Sequence, residues 1–369
     1  MDPENRIERL YIHVPFCRGK CGYCAFYSIA IDASLEKAFL DKISSDIEIK
    51  YGSCNALKSI YIGGGTPTAL SDNSMRKLFA TIRQYFKVTD DCEISVECNP
   101  ESLTDSKAEI IANFANRVSV GVQSFNKDLR RILGRRAGDE DISRCFAILK
   151  KHGIANVSCD LINSIPGQRL EDYESDLKQA VNLGVCHLSS YSLTIEEGTR
   201  LAAKKICIDE DEELKMWEIA DEVLSAYDFK RYEISNFSRY GFECKHNLEI
   251  WFGDRYLGLG PSASSFDGTK RWTESANFTD WINGSNPDYD IISNRKRASE
   301  ILAFGFRTLR KWTSESFMRR TGFKLSLWDG LLSDLEREGL ICYNGKSAVS
   351  TMKGLLLWNS LAEKIIEEV

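Results

Sequence analysis

Three cysteines near the start of the chain have the residue type and spacing of metal ligands. They are Cys17, Cys21 and Cys24, in the run Cys-Arg-Gly-Lys-Cys-Gly-Tyr-Cys, and no second cluster of cysteines follows. Three thiolates can hold three irons of a [4Fe–4S] cluster and leave the fourth iron open, whereas clusters used for electron transfer normally have four cysteines. The pattern therefore predicts a cluster whose open iron binds a small molecule.

Zinc and a disulfide are the alternative interpretations of this motif. A structural zinc ion needs four ligands, usually arranged as two close pairs. His13, four residues before Cys17, could supply a fourth ligand, so counting alone does not exclude zinc. A disulfide would leave one of the three cysteines unpaired. The other nine cysteines are scattered singly, which indicates a reducing compartment rather than a disulfide framework.

Composition limits the class of protein. The chain has 369 residues, 43% of them hydrophobic, which is enough for one large core and a smaller domain. The segment Met1–Leu10 is charged and does not resemble a secretory signal, and no apolar run is long enough to cross a bilayer. We therefore expect a cytoplasmic protein. The net charge of −6 disfavours non-specific binding to nucleic acid, so no nucleic-acid partner is expected.

Short β-rich runs alternate with amphipathic helical stretches over the first two-thirds of the chain. The predicted strands are Arg9–Val14, Ser59–Ile62, Glu93–Cys98, Arg117–Val122, Asn156–Leu161 and Cys186–Ser192. The predicted helices include Ala33–Ile49, Asn73–Phe86, Thr104–Phe114, Glu140–His152 and Leu170–Leu183. This alternation predicts a parallel sheet. Six units are too few for a closed (β/α)8 barrel, so we predict an α/β fold with an open partial (β/α)6 barrel in residues 1–235.

The remaining third reads as an extension followed by a small α+β domain. After a helix at Asp211–Ala226 and a strand at Phe229–Ile234, residues 236–295 read as an extension with a Gly/Ser-rich loop at 253–265 and a polar linker at 277–295. Residues 296–369 are predicted to form a winged-helix-like domain. Its predicted elements are helices at Ser299–Leu309, Ser314–Arg320, Leu325–Glu338 and Leu355–Glu368 and a hairpin at Leu340–Val349. Docking of this domain on the barrel is favoured over nucleic-acid binding.

Ligand-binding groups follow the predicted strands one after another. Gly63–Pro67 follows the second strand, Glu97 ends the third, Gln123 follows the fourth and Asp160 ends the fifth, with Arg135 in the loop beyond the fourth. In an open parallel sheet, ligands bind at the carboxyl ends of the strands. Carboxylates can accept hydrogen bonds from hydroxyl groups, and an arginine can bind a carboxylate through two hydrogen bonds. Each charged residue alone could be an ion-pair member, but together they predict one polar ligand.

The cysteine spacing resembles the signature of the radical S-adenosylmethionine (SAM) superfamily, in which the open iron chelates SAM. Further segments resemble one family, which contains the oxygen-independent coproporphyrinogen III oxidases and the HemW haem chaperones: Tyr11–Cys17, Gly63–Thr68, Ser95–Pro100, Gly121–Phe125 and Asp160–Gly167. The resemblance implies SAM contacts at Tyr11, Tyr23, Gly64, Gly65, Thr66, Glu97, Gln123, Arg135 and Asp160, with further contacts at Thr194 and Ser264. His13 matches a family histidine before the motif, and packing behind the site is the alternative role for it.

Two features favour the haem chaperone branch. The oxidases have a fourth cysteine where this chain has Phe26, which speaks against porphyrinogen decarboxylation. The chaperones have an H-N-x-x-Y-W motif, matched here by His246, Asn247 and Trp251, although Ile250 replaces the tyrosine. A neutral imidazole is a common axial ligand of haem iron, Asn247 could orient it, and Trp251 offers an apolar face for a porphyrin.

The sequence thus predicts a HemW-type haem chaperone that binds a [4Fe–4S] cluster, SAM and, through His246, haem as cargo. The expected partners are haem-accepting proteins and a reductant such as flavodoxin or ferredoxin, and the protein could form a homodimer. One alternative is an oxygen-independent coproporphyrinogen III oxidase, disfavoured by Phe26. A second is a tRNA-modifying radical SAM enzyme, prompted by the basic tail, since residues 291–369 carry a net charge of +4. It is disfavoured by the acidic body, since residues 1–290 carry −10, and by the single cysteine cluster.

Overall fold

Seven parallel strands form the centre of the molecule in the computed structural model, which describes residues 7–204 and 209–367. The strands are β1 (Ile7–Val14), β2 (Cys54–Gly64), β3 (Val88–Cys98), β4 (Arg117–Gln123), β5 (Val157–Asn163), β6 (His187–Ser192) and β7 (Leu257–Leu259). Strands β1 to β6 pair in sequence order, and β7 pairs with the outer side of β1. The predicted six-stranded partial barrel is confirmed, and β7 extends it by one strand.

Helices cover the outer face of this curved sheet. They are Ala33–Lys50, Asp72–Tyr85, Asp105–Ala112, Lys127–Leu133, Asp139–Lys151, Leu170–Asn182 and Glu210–Ser225. Several are preceded by a residue type that favours the N-cap position, such as Asp32, Ser71 and Thr104. The side-chain oxygens of these residues accept hydrogen bonds from backbone N–H groups of the first turn. The predicted helices agree with these bounds to within a few residues.

Alternation along the strands places apolar and polar side chains on opposite faces of the sheet. In β1 the buried Leu10, Ile12 and Val14 belong to the main hydrophobic core, and Arg9, Tyr11 and His13 alternate with them. The same alternation occurs in β2 to β4. Strands of a sheet that is covered on both faces are normally apolar along their whole length. The alternation seen here instead places polar side chains on the inner face, where they line a cavity.

Both edges of the sheet differ from the prediction. Strand β7 lies within the predicted Gly/Ser-rich loop, because a three-residue strand next to glycines gives no periodic signal. At the other edge, Asn236–Ser238 pairs antiparallel with β6 and with Lys230–Arg231. The predicted strand Phe229–Ile234 is therefore only two residues long in the structure.

Residues 236–295 contain more regular structure than the expected extension and linker. The segment includes helices Lys245–Trp251 and Phe278–Ile282 and a three-stranded antiparallel sheet of Ser264–Phe266, Arg271–Thr273 and Asp288–Asp290. Phe278 and Trp281, within the predicted linker, belong to the main hydrophobic core. Two apolar residues in a polar stretch are too few for a recognisable helical period, which is why the sequence indicated a linker.

The C-terminal part has its own core of helices around a small sheet. Its helices are Asn294–Gly305, Ser314–Thr321, Asp329–Arg337, Met352–Leu356 and Trp358–Glu367, with a 3-10 turn at Leu325–Trp328. Strands Trp312–Thr313, Ile341–Tyr343 and Ser347–Ser350 form the sheet, as expected for a winged-helix-like arrangement. Phe252 and Phe266 from the preceding segment pack into the same core. The domain boundaries at 235 and 295 stay a prediction.

Phe16–Cys17 pairs with Ile29–Ala30, and 3-10 turns occur at Tyr51–Ser53, Pro67–Ala69, Pro100–Ser102 and Ala202–Lys204. The predictions for Met1–Arg6, Cys207 and Glu368 lie outside the described residues. In the part of the chain that the structure describes, no helix combines the length and apolar character needed to span a membrane.

Candidate functional site

The inner face of the sheet encloses a cavity of about 480 Å³. The cysteine loop lies at its mouth, beside the carboxyl ends of the strands. Its lower end is formed by residues at the strand beginnings and by helix Lys245–Trp251, which we call the floor helix. The structure brings twelve of the predicted residues to the cavity wall: Cys17, Cys21, Tyr23, Cys24, Gly64, Gly65, Thr66, Glu97, Gln123, Arg135, Asp160 and Thr194.

The three cysteines of the motif are free thiols, partly exposed toward the cavity. Cys17 Sγ lies 3.5 Å from Thr66 Oγ1, and Arg135 Nη1 donates to Cys21 Sγ at 3.5 Å. Burial raises the pKa of the Cys24 thiol. Three soft sulfur donors on one short loop fit the ligand set of an iron–sulfur cluster. Among the described residues, no three His, Cys, Asp or Glu side chains converge closely enough for a single metal ion.

His13 has hydrogen-bond partners within the protein on both sides of its ring. Its Nδ1 is 3.0 Å from the Tyr11 hydroxyl and its Nε2 is 2.9 Å from the Tyr27 carbonyl oxygen. Burial lowers the pKa of the imidazole. Both ring nitrogens have partners, so this arrangement does not fit the alternative in which His13 is the fourth ligand of zinc.

The glycines after β2 are needed for packing within the protein as well as for access to the cavity. Gly64 has a φ of +104°, and a Cβ atom there would lie 2.5 Å from His13 Nδ1. A Cβ on Gly65 would lie 2.7 Å from the Phe16 carbonyl oxygen. A larger residue would require movement of the His13 ring at the first position and of the Phe16 backbone at the second, so only glycine fits both.

Two partly buried carboxyl groups, on the strands β3 and β5 that flank β4, are acceptors in the wall. Glu97 accepts from the Tyr61 hydroxyl at 2.9 Å and from the Gly64 N–H at 3.1 Å. Burial, and to a lesser degree the charge of Asp160, raises the pKa of Glu97 to about 7. Asp160 accepts from Ser119 at 3.0 Å, and burial raises its pKa as well. Such acceptors suit a ligand that carries hydroxyl groups.

Arg135 and Gln123 complete the upper wall. Arg135 Nη2 donates to Asn99 Oδ1 at 2.6 Å and also to the Gly121 carbonyl oxygen. Within the described residues its Nε has no partner although it is buried. Gln123 adopts a φ of +71° at an irregularity in the pairing of β4 and β5. A non-glycine residue is strained in this region, and such strain is common at ligand sites.

The structure does not bring three predicted contact residues to the cavity wall. The hydroxyl of the half-buried Tyr11 bonds to His13. Ser264 Oγ lies 2.8 Å from Thr273 Oγ1 in the small antiparallel sheet. His246 is 3% exposed and lies behind the wall. The SAM contacts of Tyr11 and Ser264 stay predictions.

His246 is packed between the floor helix and the sheet. Its Nδ1 is 2.8 Å from Ser59 Oγ, and its ring lies against Tyr61 with centroids 5.3 Å apart. Burial, followed by the charges of Arg9 and Arg117, lowers the pKa of His246 to about 3, so the ring is neutral. A neutral ring suits iron, but its coordination to haem would require the floor helix to move.

The other residues of the haem motif are also placed by the floor helix. Asn247 lines the cavity, and Trp251 packs against the guanidinium of Arg307 at 5.2 Å from the ring centroid. Ile250, at the position of the family tyrosine, is partly exposed. An arginine of the protein therefore lies over the Trp251 ring that we had expected to offer a face to a porphyrin.

Several wall residues were missed by the sequence analysis. These residues are Tyr61, Arg117, Ser119, His187, Ser189, Tyr191, Asn236 and Cys244. The sequence did contain a signal for polar side chains inside the barrel. Strands that are buried on both faces are normally apolar throughout, but polar and apolar residues alternate in runs such as Glu93-Ile-Ser-Val-Glu97 and Arg117-Val-Ser-Val-Gly121.

Comparisons with known proteins agree with this architecture. Residues 11–180 match the Radical SAM superfamily model. The heme chaperone HemW of Bacillus subtilis is 32% identical over 97% of this chain and 99% of its own length. HemW of Escherichia coli is 35% identical over 69% of this chain and 68% of its length.

A solved structure shows the same fold over almost the whole chain. Coproporphyrinogen III oxidase HemN of Escherichia coli superposes with a TM-score of 0.84, covers 99% of this chain and 91% of its own, and is 21% identical. At that identity the likeness establishes the fold. Together with the full-length relatives, it shows that this chain belongs to the HemW family within the radical SAM superfamily.

Proposed function

We propose that this protein is a haem chaperone of the HemW type, which binds a [4Fe–4S] cluster and SAM and transfers haem to acceptor proteins. The observation that carries the proposal is the cavity with Cys17, Cys21 and Cys24 at its mouth and no fourth cysteine at Phe26. Relatives of nearly equal length are named heme chaperones. Free thiols along the chain fit a reducing cytoplasm.

The chain's own groups have distinct tasks in this proposal. The three thiolates would hold the cluster, which supplies the electron for reductive cleavage of SAM when both are bound. Glu97 and Asp160 would accept from ribose hydroxyls, and Arg135 would pair with the carboxylate of SAM. Tyr23 would pack against the adenine. The residues around the mouth, including the exposed Phe26, leave the cluster accessible to a reductant of the flavodoxin or ferredoxin class.

Haem capture is proposed at the floor helix, with His246 as the iron ligand. The helix would have to release His246 from Ser59 and Tyr61 before iron could bind. Binding of iron would then replace the buried contacts of His246 with Ser59 and Tyr61 by an iron–nitrogen bond. Homodimer formation is a further part of the proposal, since two such helices could share one haem.

The test uses full-length protein reconstituted anaerobically with iron and sulfide. We expect a SAM-sensitive cluster signal in the wild type that is lost when Cys21 is replaced by alanine. We also expect a Soret shift on addition of haem, which His246→Ala abolishes. His152→Ala is the matched control, because His152 lies on the barrel surface beside Asp105. An unchanged Soret shift in His246→Ala would remove His246 from the haem site.

An activity assay separates this proposal from its enzymatic alternative. With coproporphyrinogen, SAM and a reductant under anaerobic conditions, we expect no formation of protoporphyrinogen. Stoichiometric conversion would make the protein an oxidase instead. Retarded migration of tRNA at physiological salt would favour a tRNA-modifying enzyme.

A further inference from the structure

One buried arginine in the cavity wall lacks the partner that the other buried arginines have. Five arginines are buried among the described residues: Arg9, Arg117, Arg130, Arg231 and Arg297. Four of them form ion pairs, with Asp254, Asp139, Asp221 and Asp290 respectively. Arg117 is 2% exposed, and within the described part of the chain no carboxylate lies at ion-pair distance from it.

The guanidinium of Arg117 is also poorly supplied with hydrogen bonds. Its Nη1 lies 3.5 Å from Ser95 Oγ, a long contact, and its buried Nε has no partner among the described residues. A buried cation without good acceptors carries a large desolvation penalty. Arg117 lines the lower end of the cavity, so an acceptor there would come from a ligand.

The neighbouring carboxyl groups are already committed elsewhere. Glu93 accepts from the backbone N–H groups of Lys245 at 2.9 Å and His246 at 3.0 Å. The acceptors Glu97 and Asp160 are bonded to hydroxyl groups of the upper wall. These acids therefore keep their positions without Arg117, and the guanidinium retains unused donors.

The surroundings of Arg117 are otherwise neutral and polar. His187 is bonded at Nδ1 to Ser158 and at Nε2 to Tyr232, at 2.7 Å each, and burial holds its pKa well below the ordinary value. Asn236, Cys244 and Asn247 complete this end of the cavity. Glu93 interacts electrostatically with the guanidinium, but none of the described carboxylates lies within ion-pair distance of it.

We infer that the lower end of the cavity binds a small organic acid whose carboxylate pairs with Arg117. A planar carboxylate matches the paired N–H donors of a guanidinium and would supply the close anionic partner that Arg117 lacks. The site lies apart from Arg135 at the mouth. It requires neither the cluster nor haem, so it stands independently of the proposed chaperone function.

Calorimetric titration of the full-length protein tests this inference, with butyrate as the probe, butyramide as its neutral isostere and chloride as an inorganic anion at equal ionic strength. We expect saturable binding of butyrate and none of butyramide. Arg117→Gln should weaken butyrate binding at least about tenfold, because a charge-assisted pair is lost. Arg136→Gln is the matched control: it removes an exposed cation at the cavity mouth and should leave binding unchanged.

Several results would overturn the inference. They are a wild type that does not bind butyrate, equal binding of butyrate and butyramide, displacement of butyrate by equimolar chloride, and an equal loss of affinity in Arg136→Gln. If Arg117→Gln does not fold, Asn247→Asp keeps the arginine and places a competing carboxylate at the same end of the cavity. We expect weaker butyrate binding there, and an unchanged affinity would contradict the assignment.

Discussion

Glu97 shows how burial changes the chemistry of a single side chain. The carboxyl group lies in the cavity wall beside Asp160 with Tyr61 and Gly64 as its donors, and its pKa is raised to about 7. A folded-state pKa above the unfolded value means that the folded chain binds the proton more tightly. The stability contributed by this group is complete below pH 4.5 and is lost as the pH rises through about 7.

Replacement of Glu97 by glutamine should remove this dependence. In the protein without cluster or SAM, we expect the decline in unfolding free energy between pH 4.5 and pH 8 to be smaller in Glu97→Gln by about 3 kcal/mol. Urea denaturation at several pH values measures the unfolding free energy of both proteins and so this difference. Glu171→Gln, on an exposed helix surface, is the control. Parallel pH profiles for wild type and Glu97→Gln would contradict the raised pKa.

Side chains at the ends of predicted strands were the easiest part of the site to foresee. Glu97, Gln123 and Asp160 reach the cavity because strand ends in a parallel sheet share one edge. The position of His246 could not be foreseen in the same way. Its burial depends on Ser59 and Tyr61, which are far away in sequence and reveal no pairing with it.

The floor helix connects the barrel to the C-terminal part through a group of charged side chains. Glu249, on this helix, accepts from Arg310 at 2.7 Å and Arg320 at 3.0 Å. Arg9 of β1 pairs with Asp254, just after the helix, at 2.7 Å, and Arg320 contacts Asp254 as well. The arginines of the C-terminal part thus share acids with the first strand of the barrel.

Removal of one acid from this group should destabilise the protein. Glu249→Gln keeps the shape but leaves partly buried arginines without a partner, and we expect a loss of about 2 kcal/mol in unfolding free energy. Chemical denaturation measures the change. Asp41→Asn, which breaks an exposed pair with Lys37, is the control and should have little effect. Equal small effects of both substitutions would argue against a structural role of the group.

At the level of elements, periodicity decided what was predictable. The long barrel strands and helices have sustained periods and were found, whereas β7 and helix Phe278–Ile282 were not. Both are short, and they form because a neighbouring surface completes them: β1 in the first case, the main core in the second. Local sequence does not contain that information.

The whole molecule depends on contacts that cross the predicted boundary at residue 295. Phe252 and Phe266 precede the boundary yet are buried in the C-terminal core, and the acids of the floor helix pair with arginines beyond it. A fragment of residues 1–295 would expose both phenylalanines, with a loss of about 2 kcal/mol for each.

We therefore expect the fragment of residues 1–295 to melt at a clearly lower temperature than the full chain. Thermal unfolding followed by far-UV circular dichroism measures the difference. Addition of residues 296–369 as a separate chain should raise the melting temperature again. Equal melting temperatures of fragment and full chain would show that the barrel does not rely on its C-terminal part.

The shared acids have a consequence for synthesis of the chain. Arg310 and Arg320 leave the ribosome long after the barrel strands, so a nascent chain has a sheet and a cysteine loop before it has the side chains that anchor Glu249. The lower end of the cavity is therefore completed last. A chain that ends before these arginines would contain all three cysteines of the motif. It would still lack the contacts that hold the floor helix at the lower end of the cavity.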